Sequence, residues 1–309
     1  MDAINMGLGR AAIKLIAETV RDFKPGGRVL LIGKQEVWGT EREILRWLEE
    51  SGLTPVACET QLALKPDFRR LQFIQDTSVF KLMGFREVVN LDNSDYEGAE
   101  IIGDLNRPLA EELLVKAGRF DLIIDSGCLE HIFNVPQVLK NFHQLAADNG
   151  VVIHILPSNN LVDHGFYMFS PTLFQDYYNA NRWRVLCHYF FQHYPNYKTR
   201  CRIYKYKPGA LSAFAFTGMM SRTMCSIYFA AQKQPGATCD ANVQQGMYRT
   251  AWSRKGDGGD SVSRSGWLAL RERLKPYVPG SLIPYLMALE ARIQKIGGIS
   301  RYLEHYKNL

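Results

Sequence analysis

Residues 120–157, FDLIIDSGCLEHIFNVPQVLKNFHQLAADNGVVIHILP, decide the fold. Residues 122–124 and 151–156 are short, β-branched apolar runs bounded by turn signals, the pattern of buried parallel strands. Between them Val138, Phe142, Leu145 and Ala146 recur at helical spacing, and Asn149-Gly150 is expected to end that helix. A strand–helix–strand unit of this size makes a right-handed crossover. Asp125, Ser126, Glu130 and His131 then fall at the carboxyl edge of a parallel sheet, where open α/β sheets bind ligands.

The same pattern extends in both directions. Residues 1–24 read as an amphipathic helix with Ala12, Leu15, Ile16 and Val20 on one face, broken by Pro25-Gly26-Gly27. Residues 28–33 form a first strand ending in Gly33, and residues 40–50 a helix with Ile44, Leu45 and Leu48 inward. A short helix over 77–83 precedes strands that end at Asp92 and Asp104. Beyond the opening stretch come a loop (158–170), a helix carrying Leu173, Phe174 and Tyr177, a strand over 183–191, a basic strand over 198–207 and a closing strand over 226–232. The expected fold is α/β: a Rossmann-like, mostly parallel seven-stranded sheet in residues 28–233, with a cap insertion at about 194–224. Residues 1–27 are a helical lead-in, and residues 234–309 a Gly/Ser/Asp-rich linker followed by a helical tail around Pro276–Pro284. That tail is expected to cover the pocket or to mediate a homodimer.

Composition narrows the class. Six scattered cysteines with no C-x-x-C spacing read as reduced cytoplasmic thiols, and no metal is expected from them. The amino terminus lacks a signal-peptide core, and no apolar run approaches the ~20 residues of a membrane span, so no membrane partner is expected. The net charge of +6 conceals an acidic first half and a basic second half. No dense Lys/Arg block accompanies it, so an acidic small molecule is a better-matched partner than nucleic acid.

Asp92, Asp104 and Asp125 end successive strands. A carboxylate there can accept both ribose hydroxyls of a nucleotide cofactor, and a second can accept an adenine amino group. Such acids also cap the following turn. Three in register on one sheet edge favour the cofactor.

The segments NLDNSDYEGAEIIGDLN, FDLIIDSGCLEHIFNVPQVL and NGVVIHILPSNNLVDHGFYMFSP resemble the class I S-adenosylmethionine-dependent methyltransferases. In particular they resemble a bacterial branch with EH-x-F-N and HGFY-x-FSP motifs. The resemblance spans residues 28–232. It implies that Asp92 binds ribose, that Asp104, Leu105 and Asn106 contact adenine, and that Asp125, Ser126 and Gly127 lie near the methionine portion of S-adenosylmethionine. The family's glycine-rich first loop here reads LIGKQEVWG, keeping Gly33 but placing Gln35 and Val37 where further glycines occur. Gln35 would then replace a backbone contact through its amide.

Methyl transfer from a sulfonium is an in-line displacement that depends on alignment and desolvation. An oxygen or nitrogen acceptor also calls for a base, and His131 and His164 are the candidates, with Tyr167 beside them. The loop holding Asn159, Asn160, His164, Phe166 and Tyr167 combines donors, acceptors and aromatics, as acceptor recognition requires. Arg200 and Arg202 on the basic strand would clamp an anionic acceptor, or serve as a solvated edge. His154, inside a strand, reads as a satisfied core residue. The expectation is methyl transfer to O, N or S of a small molecule. Its rivals are a non-catalytic Rossmann-like binding module and an RNA methyltransferase.

Overall fold

A computed structural model describes residues 7–194, 200–211, 223–246, 248, 249, 252, 253, 277–282, 285, 286, 289 and 299–309. Nine strands form one sheet: β1 (Arg28–Ile32), β2 (Glu87–Asp92), β3 (Ile101–Ile102), β4 (Phe120–Ser126), β5 (Ala146–Asn159), β6 (Arg184–His193), β7 (Arg202–Lys205), β8 (Met224–Gln232) and β9 (Glu304–Asn308). Their spatial order is β3-β2-β1-β4-β5-β8-β6-β7-β9. The first five are mutually parallel, and β8 runs antiparallel between β5 and β6. Strand order reverses between β1 and β4, which opens a crevice at the carboxyl edge. This is the Rossmann-like α/β architecture read from the sequence, extended from seven strands to nine by β7 and β9.

Two core layers sandwich the parallel half because its strands alternate. Val29, Leu31, Leu122 and Ile124 pack under α1 (Arg10–Phe23), α2 (Glu41–Glu50) and α4 (Asp76–Leu82). Leu30, Ile32, Ile123 and Val152 face α6 (Val135–Leu145) and α7 (Pro171–Ala180). Helix α1 is pinned by a buried hydroxyl pair, Thr19 Oγ1 and Tyr228 Oη at 2.7 Å; one of the two donates to the other, which donates in turn to the Leu15 carbonyl, 3.0 Å from both. Helix α2 starts at a capping box between Thr40 and Glu43. Two further short helices among the described residues are α3 (Pro66–Arg70) and α5 (Glu111–Ala117).

Three sequence expectations change. Helix α6 stops at Leu145, and Asn149-Gly150 kinks β5 instead of ending the helix. Asn149 takes φ of 62°, and a Cβ on Gly150 would lie 2.9 Å from the Phe120 carbonyl, so the close approach demands glycine. The end of the chain is strand β9, not helix: it pairs with β7, stacks Tyr306 on Tyr189 and joins Lys307 to Glu18. The basic strand β7 is therefore covered instead of being a free edge. The start of the expected linker lies along α7, where Thr238 and Ala241 bond to Asn181, and Gly246 to Asp176. Most of the cap insertion and most of the expected tail helices lie outside the described residues.

Burial pushes the imidazole pKa of His188 down to about 3 and those of His143 and His193 down to about 4. Each is neutral in the folded chain yet would take up a proton near pH 6.5 when unfolded. Their joint effect is absent above about pH 6.5 and lowers stability as pH falls from about 6.5 to about 4, by up to about 1.4 kcal/mol per pH unit for His188. Urea denaturation across this range should show the decline, and His188→Gln should flatten it. An unchanged slope in that variant would rule His188 out as a contributor.

Candidate active site

Five loops converge at the carboxyl edge, beginning with the turn after β1. Gly33 has φ of 71°, and its N–H donates to the Leu91 carbonyl at 2.8 Å. A Cβ placed there would face Asp92 Oδ2 at 3.7 Å, Cys128 Sγ at 3.8 Å and Gln35 Nε2 at 4.0 Å. The bare side of Gly33 thus looks onto the acid that ends β2 and the turn that follows β4. Asp92 Oδ1 accepts the N–H of Asn93 at 2.6 Å and that of Ser94 at 3.4 Å. Its Oδ2 accepts no hydrogen bond among the described residues.

The first loop is held by a residue the sequence reading missed. Asp76, fully buried at the start of α4, accepts the Gln35 N–H at 2.9 Å and that of Thr77 at 2.8 Å, and pairs with Lys34 Nζ at 2.8 Å. Gln35 itself is a correction. Its buried amide folds back to donate to the Ile32 carbonyl at 2.9 Å, so it shapes the turn from inside and is not set to meet a cofactor. Asp76 lies 41 positions from Gln35, and no local pattern announces that pairing.

The turn after β3 is equally braced. Asp104 Oδ1 accepts from the Asn106 backbone at 2.9 Å and its side chain at 3.0 Å, which holds the carboxyl below its usual range. Asn134 donates twice to Asn106, from its backbone N–H to Oδ1 and from Nδ2 to the carbonyl, and Asn141 Nδ2 donates to the carbonyls of Leu105 at 3.1 Å and Arg107 at 2.9 Å. Leu105 is buried beneath them. Asp104, Leu105 and Asn106 are therefore presented as one fixed turn.

Asp125 is the main correction. Its side chain is fully buried, with Oδ1 accepting the Leu129 N–H at 3.1 Å and Oδ2 meeting His154 Nδ1 at 2.7 Å. His154 Nε2 in turn meets Tyr178 Oη at 2.7 Å. Burial drives the Tyr178 phenol well above its ordinary pKa, so it stays protonated and donates to the imidazole. The Asp125 carboxylate is committed to the core and cannot contact a ligand. Ser126 is buried beside it, and Gly127, at φ of 77°, turns the chain toward the first loop.

The turn after β4 carries Glu130 and His131 against the loop after β5. The Glu130 carbonyl accepts the N–H of Phe166 at 2.8 Å and of Tyr167 at 3.3 Å. His131 and His164 meet edge-to-face, ring centroids 5.1 Å apart, over the buried Glu130 carboxyl. Burial raises the pKa of that carboxyl above the usual glutamate range. The Tyr167 hydroxyl donates to the Phe133 carbonyl at 2.8 Å, which stitches the two loops together. Phe133 and Phe166, 71% and 69% exposed, form an aromatic rim with centroids 6.0 Å apart. Asn159 ends β5, and Asn160 Nδ2 donates to the Thr223 carbonyl at 2.7 Å.

Arg202 lies across the sheet from this cluster. Arg202 shares a cross-sheet row with Gln192, Cys225 and Asn159. It is thus three strands from Asn159, about 14 Å at ordinary strand spacing.

Comparison with known proteins defines the class. The family described as methyltransferase domain matches residues 15–203, well over half of the chain. The chain belongs to this family, and S-adenosylmethionine is the methyl donor that the assignment implies. No curated protein matches it. Among solved structures it is similar to the Burkholderia thailandensis 1,6-didemethyltoxoflavin-N1-methyltransferase (13% identity, 72% of this chain and 79% of that one, TM-score 0.35). It is also similar to a putative methyltransferase from Bacillus halodurans (10% identity, 73% and 99%, TM-score 0.38). A third is a SAM-dependent methyltransferase from Archaeoglobus fulgidus (13% identity, 72% and 94%, TM-score 0.37). Among the described residues no helix is long and apolar enough to cross a membrane.

The Asp125–His154–Tyr178 chain predicts a structural phenotype. His154→Ala leaves a buried carboxylate without its partner and should destabilise the protein by about 3–5 kcal/mol in urea denaturation. A loss below about 1 kcal/mol would show that the chain does not support the fold.

Proposed function

We propose that this protein transfers the methyl group of S-adenosylmethionine to an oxygen, nitrogen or sulfur atom of a small molecule held between the turn after β4 and the loop after β5. The observation that carries the reading is the pairing of Gly33 and Asp92. A residue without a side chain, fixed at positive φ, faces a carboxylate oxygen with no protein donor, and a ribose diol supplies the missing donors. The residues present therefore fit the cofactor.

In this reading Asp92 holds the ribose, the braced Asp104–Asn106 turn meets the adenine, and the backbones of Gly33 and Gly127 line the methionine portion. When bound, the cofactor supplies a sulfonium-linked methyl group open to displacement. The protein aligns the acceptor and excludes water. The exposed rings of Phe133 and Phe166, with Val162 74% exposed nearby in sequence, suit an acceptor with a planar or apolar part. His131, half-exposed at the rim, is the better placed of the two histidines to take an acceptor proton, since His164 is mostly buried against Glu130. The likeness to the EH-x-F-N branch agrees with this arrangement, in which the motif forms the floor of the acceptor site. An anionic acceptor is supported only by the net charge, because Arg202 lies three strands from Asn159.

Calorimetric titration with S-adenosylhomocysteine should give saturable binding in the native protein. Asp92→Ala should weaken that binding at least about tenfold, the loss of a charge-assisted hydrogen-bond pair, while the melting temperature stays within a few degrees. Equal affinity in the folded variant would overturn the ribose assignment.

A further inference from the structure

Glu130 presents a problem that methyl transfer does not solve. Its side chain is fully buried, yet among the described residues no donor meets either carboxyl oxygen in good hydrogen-bond geometry; the His164 ring and its own backbone N–H only approach it. Buried polar groups almost always find partners, and a carboxylate is the costliest to leave without one. Its nearest polar neighbours are two imidazoles. His164 Nε2 lies 3.5 Å from Glu130 Oε1, is itself buried and also lacks a hydrogen bond, while His131 Nε2 lies 4.0 Å from the same oxygen. One ligand atom from each residue lies within 4.8 Å of the other two.

The fold builds this cluster deliberately from two elements. Glu130 and His131 come from the turn after β4, and His164 from the loop after β5. The backbone bonds from Phe166 and Tyr167 to the Glu130 carbonyl lock the loop onto the turn. Gly165 makes the approach possible, because a Cβ there would lie 2.8 Å from the Glu130 carbonyl oxygen and 2.9 Å from its Cγ.

We propose that Glu130, His131 and His164 bind one divalent first-row transition-metal ion, of which Zn2+ is the representative, through a carboxyl oxygen and two Nε2 atoms. Two imidazoles and one carboxylate suit zinc and its neighbours better than magnesium or calcium, which prefer all-oxygen shells. Tetrahedral coordination at about 2.0–2.1 Å places ligand atoms about 3.3 Å apart, so the cluster needs to contract by no more than about 1.5 Å. His131 is 47% exposed and gives an ion access from solvent. Three protein ligands leave a coordination position open, as in catalytic metal sites. Resting on the function proposed above, that position is available to an acceptor oxygen, which the ion would hold and make more acidic, replacing the proton acceptance that His131 provides only in the metal-free site. The cysteine spacings gave no hint of this site because its ligands are histidines and a glutamate 34 positions apart at the extremes, joined only by the fold.

The test is calorimetric titration of tag-free, chelator-stripped protein with Zn2+, paired with Co2+ titration followed by visible absorption. One ion per chain is expected, with d–d bands in the Co2+ protein. Glu130→Gln, nearly isosteric, and His131→Ala, at an exposed position that folding tolerates, should each weaken binding by about 100-fold or more. S-adenosylhomocysteine is titrated into the same samples. Cofactor binding without metal binding in the native protein overturns the metal site and leaves the methyltransferase reading intact. Metal binding without cofactor binding supports the site and removes only the acceptor role assigned to it. Unchanged Zn2+ affinity in His131→Ala means that the ion sits elsewhere, and overturns the proposal.

Discussion

The hydrogen-bonded chain Asp125–His154–Tyr178 is the constraint around which the active edge is organised. Asp125 and His154 are cross-strand partners in the β4–β5 register, so their 2.7 Å bond fixes the alignment of the two central strands. Tyr178 ties the same bond to α7, and the second Asp125 oxygen caps the turn that begins at Leu129. That turn carries Glu130 and His131. One buried carboxylate therefore sets where β4 ends, where α7 docks and which way the acceptor-side residues point. Aromatic rings seal the chain, with His154 stacked between Phe142 and Phe174, so water does not compete for its bonds.

The parallel strands, the crossover around α6 and the edge to which the acids belong were legible in the sequence, because strand runs and helical periods are local signals. The direction of Asp125 was legible too, but overlooked. With a period of two, Asp125 shares a face with Ile123, and Ile123 packs in the same layer as Val152 and Phe142. A carboxylate on that face has to point into the core, and His154 is the one polar residue in register to meet it. Parity moves Asp125 to the side of His154, which the sequence already reads as a core residue. Asn149-Gly150 misled for a different reason. An Asn-Gly pair ends a helix and kinks a strand with equal ease, and only the crowding against Phe120 selects the second.

Other features had no sequence signal to find. Asp76 braces the first loop across a long insertion, and Asn141 holds the Asp104 turn from a helix 34 positions away. These contacts explain how a loop reading LIGKQEVWG dispenses with two of the usual glycines. Its conformation is imposed by a buried acid from outside rather than by backbone freedom within. Strand β9 lies in the stretch whose sequence reads as a helical tail around Pro276–Pro284. Tyr306 and Lys307 instead follow the needs of β7, whose second edge would otherwise be open.

Cys128 shows how the acidic edge protects the chemistry it hosts. Its sulfur lies 3.8 Å from the Cβ position at Gly33, beside the space assigned to the methyl donor. A thiolate there would be a strong nucleophile and would compete with the acceptor for the methyl group. Burial raises the thiol pKa well above its ordinary value, and the negative charges of Asp125, Glu130 and Asp92 raise it further. The sulfur is held as a neutral thiol, a small apolar wall instead of a reagent. The three acids of this edge, Asp92, Asp125 and Glu130, thus also hold the neighbouring thiol unreactive.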